Sequence, residues 1–181
     1  MNVTDGRVSV PRPIGSAAMG ALGIAFVAVH VYHIATSDLS LLGMFFGGVF
    51  PLFLALLLAA GGPILYRSRL DAAAITTTVA WGYIGGLALA CVSLLVAAHQ
   101  AIKGNPLHGP GYVIAVTATG GALVGAVTGR YDALNRQKAD YIGSLQAATT
   151  ALSGATTADE VCSRAVEIGR ASSRERVFRA V

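Results

Sequence analysis

Four histidines are the residues of this chain best suited to reversible chemistry. His30 and His33 are three positions apart, so on a helix they share one face, and Asp38 follows them closely in sequence. Imidazole titrates near neutral pH and binds metal ions, and a carboxylate is a suitable acidic partner. Together with His99 and His108, these residues predict a sensing site for protons, a metal ion or a small ligand.

The composition places these histidines in a membrane protein. Of the 181 residues, 54% are hydrophobic and 12% are charged, and the mean hydropathy is +0.63. These values lie far from those of soluble domains. The charged side chains between residues 14 and 129 are Asp38, Arg67, Arg69, Asp71 and Lys103. A soluble enzyme domain is therefore excluded from that stretch.

Four apolar stretches are long enough to cross the ~30 Å hydrocarbon core of a bilayer as helices. They cover residues 14–35, 41–66, 72–99 and 111–129. The predicted fold is an all-α membrane protein, in which a transmembrane domain of four helices spans residues 14–129 after a short segment, residues 1–13. The lipid bilayer is its first expected partner.

The distribution of basic residues predicts the orientation. Cytoplasmic loops carry an excess of Lys and Arg, and the two opposite loops hold only one basic residue, Lys103. The other basic residues flank the spans on the predicted cytoplasmic side: Arg7, Arg12, Arg67, Arg69, Arg130, Arg136 and Lys138. We therefore expect a multi-pass protein of the cell membrane with both termini in the cytoplasm and all four histidines on the outer side.

Other interpretations of the histidines stay open. Amphipathic side chains also settle at the wet ends of membrane helices without forming a site. A haem would need axial histidines deep in the bundle, whereas His30 and His99 are predicted near the interface. No paired carboxylates, no nucleophile with a base and no strong metal motif lie together in the sequence. We expect no catalytic residue, no metal ligand and no cofactor.

Small residues spaced four apart predict helix packing, because close backbone approach drives association in lipid. Such pairs occur in spans two, three and four, and general bundle packing is favoured over a dedicated dimer face. The residues are Gly43, Gly47, Gly82, Gly86, Gly121 and Gly125.

The charged stretch after Gly129 continues span four without a helix-breaking residue. Its apolar positions alternate in spacings of three and four, the repeat of a coiled coil, although Lys138 interrupts them. We predict a cytoplasmic signalling helix over residues 130–154 that forms a homodimer; an amphipathic helix packed on its own chain is the alternative. The repeat consists of Leu134, Tyr141, Leu145, Ala148 and Leu152.

A second, short helix is predicted after Gly154. Thr157 and Glu160 are spaced as a capping box. The helix that follows has an apolar face made of Val161, Ala165 and Ile168, for which the remaining sequence offers no partner. Residues 155–168 therefore predict the start of a larger domain, and we expect the chain to be truncated.

These features resemble the membrane sensor region of haloarchaeal-type sensor histidine kinases and related regulators that contain a GAF domain. The resemblance covers roughly residues 14–168. It is carried by four closely spaced spans and by the motifs Gly129-Arg130-Tyr131-Asp132-Ala133, Arg136-Gln137-Lys138 and the stretches 145–152 and 158–166.

The resemblance implies signal input across a membrane, passed down a dimeric helix to a GAF domain and then to a kinase, with a response regulator as a further partner. The chain departs from a complete kinase. After Gly129 it has neither a phospho-acceptor histidine followed by an acidic residue nor a glycine-rich nucleotide motif. We therefore expect that this chain is not itself an enzyme.

The terminal residues 169–181 predict an artefactual or disordered tail. The stretch Glu167–Val177 resembles the conceptual translation of a sequencing adapter. A basic, solvated tail on anionic lipid is the alternative. Although the net charge is +4, we predict no nucleic-acid binding.

The predicted function is a membrane-embedded sensory input module of a two-component receptor. A small stand-alone membrane scaffold, or an accessory subunit of a transporter or complex, is the alternative.

Overall fold

The four predicted spans are helices in a computed structural model, which describes residues 2–4, 7–38, 40–105, 107, 109–153, 160, 162, 163, 166 and 170. Helix α1 covers Arg12–Thr36, α2 covers Leu41–Arg67, α3 covers Ala72–Ile102 and α4 covers Pro110–Ser153. Each is long and apolar enough to cross a membrane. The prediction of an all-α bundle of four transmembrane helices is confirmed.

Helix α2 contains a turn of π-helix that the sequence does not announce. Its α-helical parts are Leu41–Met44 and Phe50–Arg67, and the π-helical turn between them is Phe45–Val49. The amide of Phe50 donates to the carbonyl of Phe45, which is the five-residue spacing of a π turn. Such turns widen a helix locally and occur frequently at functional sites.

Capping residues account for the ends of several helices. The hydroxyl of Ser40 accepts from the amide of Gly43 at 3.2 Å where α2 begins, and the carboxylate of Asp71 accepts from the amide of Ala74 at 2.7 Å where α3 begins. After α3, Gly104 takes a φ of 74°, a left-handed conformation that favours glycine. These contacts explain why the helices begin and end at the polar residues between the apolar spans.

A small antiparallel hairpin precedes α1. Strands β1, Asn2–Thr4, and β2, Arg7–Ser9, pair with Val3 opposite Val8. Just after the hairpin, the amide of Val10 donates to the hydroxyl of Thr76 at 2.9 Å. The N-terminal segment is thereby attached to the N-terminal part of α3.

All four helices contribute to one apolar core within residues 1–133. Met19 from α1, Leu58 from α2 and Ile75 from α3 are each at most 2% exposed. The buried members of this core are Met19, Leu58, Leu65, Leu70, Ala74, Ile75, Ala122 and Ala133. Much of the remaining apolar surface faces outward, as expected for helices surrounded by lipid.

The chain divides into two compact units, Met1–Ala133 and Leu134–Val181. In the second unit, Glu160, Cys162, Ser163 and Val166 are helical, within the stretch predicted to form a second helix. Thr157, which was predicted to cap that helix, lies outside the described residues, as do Val161, Ala165 and Ile168 of its predicted apolar face. The assignment of residues 155–168 to the start of a further domain stays a prediction.

Candidate functional site

Glycines bring α1 and α2 into backbone contact. A Cβ atom added to Gly62 would lie 2.8 Å from the carbonyl oxygen of Ser16, and one added to Gly23 would lie 2.7 Å from the carbonyl carbon of Leu58. Distances this short leave no room for a side chain. The two helices are therefore held at a spacing that only glycine allows.

A second set of glycines joins α3 to α4, and we call Gly85, Gly121, Gly125 and Gly129 the glycine seam. A Cβ on Gly121 would lie 3.0 Å from the carbonyl carbon of Gly85, and one on Gly129 would lie 2.8 Å from Cβ of Trp81. Backbone meets backbone along this seam.

The predicted packing glycines lie in different environments. A Cβ on Gly82 would lie 3.2 Å from Cε of Met19, and one on Gly86 would lie 3.2 Å from Cβ of Ala122. Both glycines therefore face neighbouring helices, as Gly121 and Gly125 of the seam do. For Gly47, by contrast, no atom of the described chain lies within 4 Å of the position a Cβ would take. Gly43 is half-buried in the first turn of α2.

Polar side chains meet at the end of the bundle where α1 ends and α4 begins. His30 is 0% exposed, and its Nε2 lies 3.0 Å from the hydroxyl oxygen of Thr119 in α4. His30 is six residues before Thr36, the last residue of α1. At a rise of about 1.5 Å per residue, it lies about 9 Å inside the end of the helix. It is thus a core residue of the bundle and not a residue of its wet rim.

Tyr112, in the first turn of α4, contacts both histidines of α1. Its ring stacks on that of His33 with centroids 3.4 Å apart and meets that of His30 edge-on at 5.6 Å. Its hydroxyl donates to the carbonyl of Gly47, which lies in the π-helical turn of α2. We call His30, His33, Gly47, Tyr112 and Thr119 the polar cluster, and it joins three of the four helices.

Further hydrogen bonds fix the proton positions in the polar cluster. The hydroxyl of Thr119 donates to the carbonyl of Ala115 at 2.8 Å. A hydroxyl has one proton, so while Thr119 donates to Ala115, the proton shared between Thr119 and His30 is assigned to Nε2 of His30. Nδ1 of His30 then lacks a proton in the neutral ring, and it is buried without a hydrogen-bond partner in the part of the chain that the structure describes. At His33, Nδ1 lies 3.1 Å from the hydroxyl of Ser37.

The structure brings together only part of the predicted sensing site. His30 and His33 share Tyr112 as a neighbour. His99 is exposed near the end of α3 and Asp38 is exposed in the loop after α1, and neither side chain makes a hydrogen bond or ring contact with the described parts of the chain. His108 lies outside the described residues. Among the residues that the structure describes, no group of three His, Cys, Asp or Glu side chains could hold a metal ion.

Sequence reasoning missed Tyr112, Thr119 and the carbonyl of Gly47. A signal was available, because Tyr112 and Thr119 are seven residues apart and so lie on one helical face in an otherwise apolar span. The carbonyl of Gly47 had no such signal, since any backbone carbonyl can accept a hydrogen bond.

The predicted signalling helix is the part of α4 that belongs to the second unit. Within it, Leu134, Tyr141 and Leu145 are 37%, 65% and 49% exposed. Ala148 is half-buried, and Leu152 lies within the helix. The repeat thus presents apolar side chains on a helix that also carries Arg136, Lys138 and Asp140.

Comparison with known proteins gives one family. Residues 16–142 match the family described as the archaeal 4TM region of histidine kinase. No curated protein and no solved structure shows significant similarity to the chain. The match covers more than two thirds of the sequence and includes all four spans and the polar cluster. The chain therefore belongs to the family of archaeal four-transmembrane regions of histidine kinases.

Proposed function

We propose that this chain is the sensory input module of a histidine kinase, that the polar cluster receives the stimulus, and that α4 carries the response. The observation that carries the proposal is the double role of α4. It supplies Tyr112 and Thr119 to the polar cluster, and the same helix runs to Ser153. A change at the cluster is therefore a change at the start of the helix that leaves the membrane.

The chemistry of the polar cluster suits a two-state switch. A ligand shifts an equilibrium only by interacting differently with the two states. The contacts of His30 and His33 with α4 depend on hydrogen bonding and ring charge, and both change when an imidazole takes up a proton or meets a polar ligand. The glycine contacts are spacing constraints and offer no such sensitivity.

The family and the signalling helix support a proposal for the orientation and for the output of the module. We infer that both termini lie in the cytoplasm, where a GAF domain and a kinase of the parent receptor receive the signal and pass it to a response regulator. Phosphoryl transfer belongs to that kinase and not to this chain.

We infer that residues 134–152 form a parallel homodimer through the apolar repeat. The exposure of Leu134, Tyr141 and Leu145 supports this inference, because burying such side chains against a partner helix is favourable. With Cys91 and Cys162 replaced by Ser, Leu145→Cys should form disulfide-linked dimers in liposomes under mild oxidation. Ser144→Cys, one residue away and exposed, is the matched control. Equal rates of crosslinking would contradict a dimer with this register.

The sensory function itself can be tested by joining the full chain to a soluble histidine-kinase core and measuring autophosphorylation in liposomes. We expect Tyr112→Phe to change the rate, because it removes the hydroxyl that links α4 to the carbonyl of Gly47. Tyr66→Phe is the matched control, since Tyr66 is 57% exposed near the other end of α2. An accessory role is the better explanation if two results are found together. Both variants would autophosphorylate at the rate of the unaltered fusion, and that rate would equal the rate of the kinase core alone.

A further inference from the structure

The least satisfied atom of the polar cluster is Nδ1 of His30. The residue is 0% exposed, and Nδ1 has no hydrogen-bond partner among the described residues. Buried polar groups in native proteins nearly always have partners, and an exception calls for an explanation. Within a membrane such groups are rarer still and are a marker of function.

The hydrogen bonds of this arrangement favour a neutral His30. Nε2 donates to Thr119, whose own proton goes to Ala115, so a second proton would have to reside on Nδ1. That N–H would have no acceptor, and its charge would have no water around it. The described arrangement is therefore compatible with the neutral ring only.

Within the described ranges, no acidic side chain contacts His30. The titratable groups around it are His33 on its own helix and Tyr112 on α4. From α2, the polar cluster receives only the backbone carbonyl of Gly47. The charged residues at this end of the bundle are Asp38 and Lys103, which are both exposed in loops. A proton on His30 would be paired only if the helices moved.

We propose that the stimulus is the proton and that its uptake at Nδ1 of His30 opens the contact between α1 and α4. The proposal rests on the proposed function and names the ligand of the same site. A hydronium ion of the aqueous phase donates the proton: its O–H bond breaks, an Nδ1–H bond forms, and a water molecule leaves. The new donor and the positive charge need water, so the protonated ring is stable only when α1 and α4 have separated enough to admit it.

Burial favours the proton over larger ligands. Nδ1 has no surface open to a water-sized sphere, so a metal ion or an organic ligand could not bind there without a large rearrangement. A proton needs only a transient opening. The described residues also lack a group of side chains that could hold a metal ion.

The first test observes the unaltered chain and uses one variant only to assign the signal. The full chain, labelled with ¹⁵N at histidine, is placed in lipid nanodiscs, and the ring nitrogens are observed by NMR at pH 8. We expect His30 to be neutral with its proton on Nε2; His30→Gln identifies the signal by its loss. A ring that carries its proton on Nδ1, or both protons, at pH 8 would overturn the proposal.

The second test asks whether protonation and opening are one event. In a chain with Cys91 and Cys162 replaced by Ser, Ala115→Cys places a thiol between Tyr112 and Thr119 on α4, and Ala139→Cys places one at an exposed position of the same helix. The ratio of their alkylation rates cancels the intrinsic effect of pH on thiols. We expect this ratio to rise roughly tenfold or more between pH 8 and pH 5, as expected for a charge inside the membrane that gains access to water.

Variants decide which histidine is responsible. In His30→Gln, which keeps a donor for Thr119 but cannot take up a proton, the ratio should no longer depend on pH. In His99→Gln the dependence should remain, because His99 is exposed away from the cluster. A pH-dependent ratio that persists in His30→Gln, or a constant ratio in the unaltered chain, would overturn the proposal. Either result leaves the kinase-fusion test of the sensory function unaffected.

Discussion

The glycine seam and the polar cluster are both contacts made by α4, and they are built on opposite principles. Along the seam, the backbones of Gly85 and Gly121 approach so closely that a single added carbon would collide. In the polar cluster, rings and hydroxyls of α1 and α4 meet through side chains, and one buried nitrogen has no partner among the residues that the structure describes. The seam contains no group that titrates, whereas the closed polar cluster suits only the neutral ring of His30.

This difference suggests that the seam and the polar cluster have different roles in the bundle. When one helix moves, a helix in backbone contact with it must move too, because closely packed interfaces do not deform continuously. Contacts that depend on a proton shift between states when the proton arrives. Here one helix carries both kinds of contact, because Gly121 and Gly125 follow Thr119 by two and six residues.

The largest effect is expected from breaking the seam. Gly121→Ala places a methyl group against the backbone of Gly85 and should destabilise the bundle by about 2 kcal/mol or more, as overpacking does. Gly120→Ala is its neighbour and control: nothing lies within 4 Å of the added carbon, so the stability should stay the same or rise slightly. Unfolding in mixed micelles, followed by circular dichroism, measures both. Equal destabilisation would contradict the seam.

A smaller effect is expected from removing one hydrogen bond of the polar cluster. Thr119→Val keeps the size of the side chain but takes away the acceptor for Nε2 of His30, which should cost about 1 kcal/mol within a membrane. Because only the closed state loses this bond, the transition on acidification should move to higher pH. The alkylation ratio at Ala115→Cys measures the midpoint. An unchanged midpoint, or one at lower pH, would show that Thr119 does not hold His30 in the closed state.

The smallest effect is expected where the N-terminal segment joins the bundle. The guanidinium of Arg12 donates to the carbonyl of Leu70 at 2.5 Å, and this part-buried bond should be worth about 0.5 kcal/mol. Arg12→Gln should lower the stability by that amount and leave the pH midpoint unchanged, because neither the seam nor the cluster is touched. Arg69→Gln, at an exposed position of the same loop, is the control. A shifted midpoint in Arg12→Gln would mean that the two ends of the bundle are coupled through α1.

Hydropathy and charge predict the helices well because these properties act locally. The spans predicted at 14–35 and 72–99 correspond to Arg12–Thr36 and Ala72–Ile102, and Asp71 marks a helix start through its side-chain cap. The continuation of span four beyond Gly129 is likewise seen in α4, which runs to Ser153.

The contacts between helices were harder to predict, because the rotation of each helix about its axis is set by its neighbours. Gly43 and Gly47 have the same four-residue spacing as Gly82 and Gly86. No neighbouring helix in the described chain, however, lies within 4 Å of the position that a Cβ on Gly47 would take. The π-helical turn Phe45–Val49 changes the rotation there, and no local pattern announces it. His30 and His99 were both predicted at one end of the bundle, but rotation places His30 in the core and His99 on the surface.

The most direct test is the pH dependence of autophosphorylation when the full chain, joined to a soluble histidine-kinase core, is reconstituted in liposomes. We predict that the rate of the unaltered module changes between pH 8 and pH 5 and that His30→Gln makes it independent of pH. Gly120→Ala should keep the full response. A pH response that is identical in the unaltered chain and in His30→Gln would contradict the claim that a buried histidine of the polar cluster sets the output.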